Sequence, residues 1–191
     1  MKNKLILIAI IGMLTACNNK QEDTNTNSEQ EETIKVITPQ FKTVDENVAK
    51  HIKEVIDNYL LLKDNLVKTD TASTIKLAIM LKNSIEGFDT KLLIAGQKEV
   101  YEKNSTAIKI ELEGMIKLTN ITQQREVFAE LTENVYQLAI AFGYSKALYY
   151  EHCPMALNDK GATWLSTESE IKNPYFGDEM MSCGSIKEKI K

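Results

Sequence analysis

From Asp45 onward, apolar residues recur at the three-and-four spacing that lines one face of a helix. Val48, Ile52, Val55, Ile56, Tyr59, Leu60 and Leu66 make a first stripe. Thr69-Asp70-Thr71 interrupts it with residues suited to capping a new helix. A second stripe uses Ala72, Ile75, Ala78, Ile79, Leu81 and Ile85, and Gly87 is its stop. Residues 88–97 read as a connection. A third helix spans roughly 98–118 through Tyr101, Ile108, Leu112, Met115 and Ile116, with Gly114 as a tolerated flaw. Asn120 followed by Gln123 resembles a capping box. It opens a fourth stripe of Gln124, Phe128, Leu131, Val135, Leu138, Ala139 and Phe142 that ends at Gly143. Four amphipathic helices joined by short breaks predict an all-α fold, an antiparallel four-helix bundle. Its expected core holds Ile56, Leu60, Phe128, Leu131 and Leu138, with Met80 and Met115 as filler.

On either side of the bundle the pattern fails. Residues 18–33 (NNKQEDTNTNSEQEET) carry no apolar side chain and cannot bury surface against the entropy of ordering. They predict a flexible acidic tether, either a solvated linker or an export signal to the cell surface. Residues 34–44 are apolar and β-branched but broken by Pro39, and read as an extended lead-in packed on the domain. After Gly143, Asn158-Asp159-Lys160-Gly161 and Asn173-Pro174-Tyr175-Phe176-Gly177-Asp178 are turns by composition. Ala162-Thr163-Trp164-Leu165 has the form of a short strand, and Ser185–Lys191 reads as a closing tail. The predicted organisation is 1–17 leader, 18–44 tether and lead-in, and 45–191 a bundle domain with a loop-rich C-terminal segment.

The first 17 residues change the picture of location. Lys2 and Lys4 precede an apolar run, Leu5–Leu14, that is too short to span a bilayer. Leu14-Thr15-Ala16-Cys17 resembles the bacterial lipobox, whose cysteine becomes the diacylated first residue. The resemblance implies a membrane anchor at Cys17 and a cell-envelope location, at the periplasmic face or the cell surface. The formal charge of −4 becomes −6 once Lys2 and Lys4 are removed, and no basic patch with interleaved aromatics is present. Nucleic acid is therefore not expected as a partner.

With Cys17 assigned to lipidation, two cysteines remain, and both sit among methionines. Cys153-Pro154-Met155 and Met180-Met181-Ser182-Cys183-Gly184 hold both cysteines and three methionines in two short clusters. Thiolate and thioether are soft donors, and together they select Cu(I) among common biological metals. Cys153, Met155, Met180 and Cys183 are the candidate ligands, with His152 and Met181 as further donors. The alternative is a Cys153–Cys183 disulfide with methionine as packing, the natural state of two cysteines in an oxidising compartment. In that case the chain is a structural or adaptor module without metal. His51 is expected at the helix surface or its boundary, and Trp164 in the core of the C-terminal lobe. No Gly-rich phosphate loop, GxSxG, HExxH, CxxC or CxxCH occurs, so no catalytic residue is expected and the chain does not read as an enzyme.

YLLLKDNLVKTD (59–70), QQREVFAELTENVYQL (123–138), YEHCPMALNDKGATWLS (150–166) and IKNPYFGDEMMSCG (171–184) resemble a bacterial family catalogued as domain of unknown function 3347. The resemblance spans roughly 50–190. It implies a lipoprotein or secreted protein, or a domain joined to periplasmic adaptors of heavy-metal efflux systems. It also implies metal binding, most readily copper, at Cys153, Met155, Met180 and Cys183.

Overall fold

The structure, a computed structural model, describes residues 33–191. The expected leader, the candidate lipidation residue Cys17 and the expected tether up to residue 32 lie outside the described residues.

Four helices form where the apolar stripes lie: α1 (Glu46–Val67), α2 (Thr71–Glu86), α3 (Ala95–Met115) and α4 (Ile121–Phe142). Three starts are set by local chemistry. Asp45 accepts from the amide of Asn47, Asp70 from that of Ser73, and Asn120 from those of Thr122 and Gln123. Gly143 ends α4 at φ +82, a left-handed position that favours glycine. Side-chain pairs fix the directions. Tyr59 of α1 meets Phe128 and Thr132 of α4, Lys82 of α2 pairs with Glu113 of α3, and Glu111 of α3 with Asn134 of α4. Arg125 near the start of α4 also reaches Leu66 near the end of α1, so α4 closes on α1 in the opposite direction.

Ile56, Phe128, Leu131 and Leu138 are fully buried, while Leu60 is only partly so. Of the two methionines expected as filler, Met115 is in the core and Met80 is exposed. Among the described residues, no helix is long and apolar enough to cross a membrane.

The expectation of an all-α fold is wrong. Beside the bundle lies a mixed four-stranded sheet in the order β1-β4-β2-β3, made of β1 (Lys35–Ile37), β2 (Leu148–Cys153), β3 (Ala162–Ser166) and β4 (Ser185–Ile190). The short strand expected at Ala162–Leu165 is β3, but the rest of the region read as loop-rich is a sheet lobe, and the expected closing tail is a central strand paired on both sides. β4 runs antiparallel to β2 and parallel to β1, with Lys35 opposite Glu188. Its Ser-Ile-Lys-Glu-Lys-Ile sequence carries little apolar signal because its charges are met from other elements. Glu188 receives Lys35 at 2.8 Å and the hydroxyl of Tyr136, and Lys189 lies over the Tyr149 ring.

The sheet packs on the bundle through β3. The hydroxyl of Tyr59 accepts the amide of Leu165 at 3.1 Å, and Trp164 and Leu165 are fully buried. The lead-in is tied to α4 as well, since Gln40 and Phe41 donate to the carbonyls of Ile140 and Ala141.

Candidate functional site

β2 carries one sulfur cluster to the edge of the core. Side chains alternate along a strand, and a register shift between Tyr150 and Glu151 resets which face is buried. Leu148, Glu151 and Cys153 are buried, while Tyr150 and His152 are half-buried towards α4, where Tyr150 stacks on Tyr136 and donates to Glu133. Cys153 ends the strand opposite Ala162 of β3. Past Pro154 and Met155 the chain turns through three consecutive left-handed residues, Leu157, Asn158 and Asp159.

The second cluster arrives from the other side. The amide of Cys183 donates to the carbonyl of Met180, closing a turn that leads through Gly184 into β4. A Cβ on Gly184 would lie 2.8 Å from the Trp164 ring and 3.1 Å from the carbonyl of His152. Only a glycine lets the chain pass so close to the indole. Cys153 and Cys183, 30 positions apart, are joined as a disulfide with their Cα atoms 5.8 Å apart.

The methionines stay outside the core. Met155 is 47% exposed, Met180 and Met181 are half-buried, and none belongs to the hydrophobic cluster that takes in both cysteines. His152 faces away from the disulfide. Its Nε2 lies where a Cβ on Gly161 would be 2.8 Å away, and its ring lines a pocket of about 350 Å³ with Glu130, Glu133 and Thr163. Among the described residues, no group of three or more His, Cys, Asp and Glu is placed to hold a metal. A metal at the cysteine pair would have to complete its shell from elsewhere, and the thioethers flank it in the chain. Trp164, expected in the core, is there, edge-on to Tyr175.

Three residues that shape this region were not singled out in the sequence. Asn173 is fully buried. Its side-chain amide donates to the carbonyl of Cys183 at 2.7 Å, and its backbone amide donates to that of Met181 at 2.8 Å. Arg125 reaches from α4 to the carbonyls of Pro174 at 2.8 Å and Leu66 at 3.3 Å. Glu151 is fully buried beside the equally buried indole N–H of Trp164, and no well-aligned hydrogen bond reaches its carboxylate among the described residues. Burial pushes its carboxyl up to about 8 against the opposing pull of Lys63. The Asn-Pro pair was legible as a turn, but its partner ten residues on was not. A lone Glu or Arg in sequence carries no sign of burial.

The model of the family described as a protein of unknown function (DUF3347) matches residues 55–147, from within α1 to just beyond α4. The match ends before Cys153. No curated protein and no solved structure matches the chain.

Proposed function

For a chain that belongs to the DUF3347 family, we propose the role of a lipid-anchored cell-envelope domain that holds Cu(I), for sequestration or delivery to an efflux system. Cys153 and Cys183 supply the thiolates, and Met155 and Met180 the thioethers, with Met181 beside them. Cys17 supplies the anchor, a reading supported by the Leu-Thr-Ala-Cys segment. One observation carries the proposal. Two cysteines 30 positions apart stand with Cα atoms 5.8 Å apart, each within three residues of a methionine outside the core. A linear thiolate pair with thioether support matches the preference of a soft monovalent ion.

The disulfide is the closed, metal-free state. A dithiol reductant supplies two electrons and two protons to break the S–S bond, and the thiols lose those protons on becoming ligands. The cation then sits at the margin of the sheet lobe, where exposed Met155 gives it a way in and out.

The test is a Cu(I) competition titration on the reduced chain. Tight one-to-one binding is expected, abolished in Cys153→Ser and Cys183→Ser and absent in the oxidised protein. Met155→Leu keeps volume and apolarity, so its stability cost is below about 1.5 kcal/mol, while Cu(I) affinity falls. Wild-type affinity in both Met155→Leu and the Met180→Leu/Met181→Leu double variant would remove the thioethers from the site.

The buried, bonded state of Cys153 favours a second reading, in which the cysteines are only a staple and the module acts by docking to another protein. The same titration separates the two, because a staple leaves the reduced chain without copper affinity beyond that of loose thiols.

A further inference from the structure

We infer that Asn173 is the positioning residue that keeps Cys183 beside Cys153 when the bond between them is open. The inference deepens the thiol-site reading and rests on it, but its first readout involves no metal. Each of the four polar groups of Asn173 is engaged. The side-chain amide donates to the carbonyl of Cys183 and the backbone amide to that of Met181. The side-chain oxygen accepts the amide of Tyr175 at 2.8 Å, and the backbone carbonyl accepts that of Gly177 at 3.1 Å. The first two bonds grip the 181–183 segment across the loop, and the last two fold the Asn173–Gly177 turn back on itself.

That turn is itself fixed to rigid elements. Arg125 of α4 holds the carbonyl of Pro174, and the Tyr175 hydroxyl donates to the carbonyl of Thr163 on β3 at 2.6 Å. The Tyr175 ring lies against Phe128 and Trp164. Cys153 is held independently, by its place in β2. None of these contacts uses the disulfide. Breaking the S–S bond therefore leaves both thiols where the fold put them, a pair assembled before any ligand arrives. Asn173 touches neither sulfur and acts through the backbone of Cys183.

The experiment measures the thiol–disulfide exchange constant of the folded chain against glutathione, for wild type, Asn173→Asp and Tyr175→Phe. Asn173→Asp keeps an acceptor for the Tyr175 amide but faces the Cys183 carbonyl with an oxygen in place of a donor. The constant is expected to shift at least about tenfold towards the reduced pair, the equivalent of one lost buried hydrogen bond. Tyr175→Phe lowers melting temperature while leaving the constant within about twofold, which a role in general stability alone would not separate. An unchanged constant in Asn173→Asp overturns the inference. If Asn173→Asp does not fold once reduced, the wild type is compared folded and in denaturant. A folded pair that closes no more readily than the unfolded one also overturns it. Cu(I) titration forms the second arm, with affinity at least about tenfold lower in Asn173→Asp. A wild type that binds no copper while the exchange constant shifts would defeat the copper function and leave the positioning role of Asn173 standing.

Discussion

His51 shows how far one residue can depart from its sequence context. One position before Ile52 on an amphipathic helix, it reads as a boundary residue, yet it is 8% exposed. Its ring stacks on Phe88 at 3.8 Å and its Nε2 shares a hydrogen bond of 2.7 Å with the Tyr101 hydroxyl. Burial lowers its pKa to about 4. Between about 6.5, the unfolded value, and 4, the unfolded chain takes up a proton that the native state refuses. The neutral ring therefore contributes its full stability above pH 6.5 and loses it as pH falls towards 4. Glu111, pushed up to about 7 by burial and by Glu130, has the opposite sign, since its contribution is lost as pH rises from about 4.5 to 7. Comparing variants isolates the histidine. Urea unfolding of wild type is expected to lose about 3 kcal/mol between pH 6.5 and 4 relative to His51→Gln. Parallel pH profiles for the two proteins would show that His51 titrates normally.

Among the elements, α4 was fully legible and α2 was not. Phe128, Leu131, Val135 and Leu138 repeat at helical spacing and all are buried. In α2 apolar residues surround most of the helix, so several stripes fit the sequence equally well. The buried residues are Thr74, Ala78, Leu81 and Ile85, which leaves Ile79 at 42% and Met80 at 40% exposure. The choice falls to its neighbours, as Thr74 meets the side chain of Asn65 at 2.8 Å at the α1–α2 turn. Tyr59 joins three elements. Its buried hydroxyl is shared with Thr132 of α4 at 2.8 Å and accepts the amide of Leu165 of β3. Tyr59→Phe strands both partners in the core and is expected to cost about 1–3 kcal/mol. Ile79→Lys on the outer face of α2 is expected to stay within about 0.5 kcal/mol. Equal urea midpoints for the two variants would deny the hydroxyl any part in joining the sheet to the bundle.

At the scale of the molecule, the ends of the described chain meet. β1 begins at Lys35 and lies beside β4, which finishes one residue before the C-terminus, and the amide of Lys191 donates to the carbonyl of Ile37. The Cys153–Cys183 bond closes a loop of 30 residues within the same lobe. In the chain-entropy account such a link stabilises by about 3–4 kcal/mol, because it restricts the unfolded chain. Reduced protein is therefore expected to lose that amount of unfolding free energy in urea titrations while keeping its far-ultraviolet helix signal at zero denaturant. Loss of that signal on reduction would mean that the bundle depends on the staple to fold. A penalty confined to the unfolded chain fits a loop that Asn173 and Arg125 hold without it.

What was readable in advance is what is local. Helix starts at Asp45, Asp70 and Asn120, the stop at Gly143 and the stripes of α1 and α4 depend on residues within a few positions of one another. The two sulfur clusters were readable as candidates for the same reason, since residue type and spacing alone define them. Of the sheet only the strand at Ala162–Leu165 was readable, because the pairings that bring in β1 and β4 are distant. Lys35 lies opposite Glu188, and each strand is short and draws its apolar or charged partners from elsewhere in the chain. Nor could spacing alone show that Asn173 holds Cys183 or that Glu151 is buried. Each depends on which face of a strand or loop meets the bundle, and that is settled only when the whole core closes.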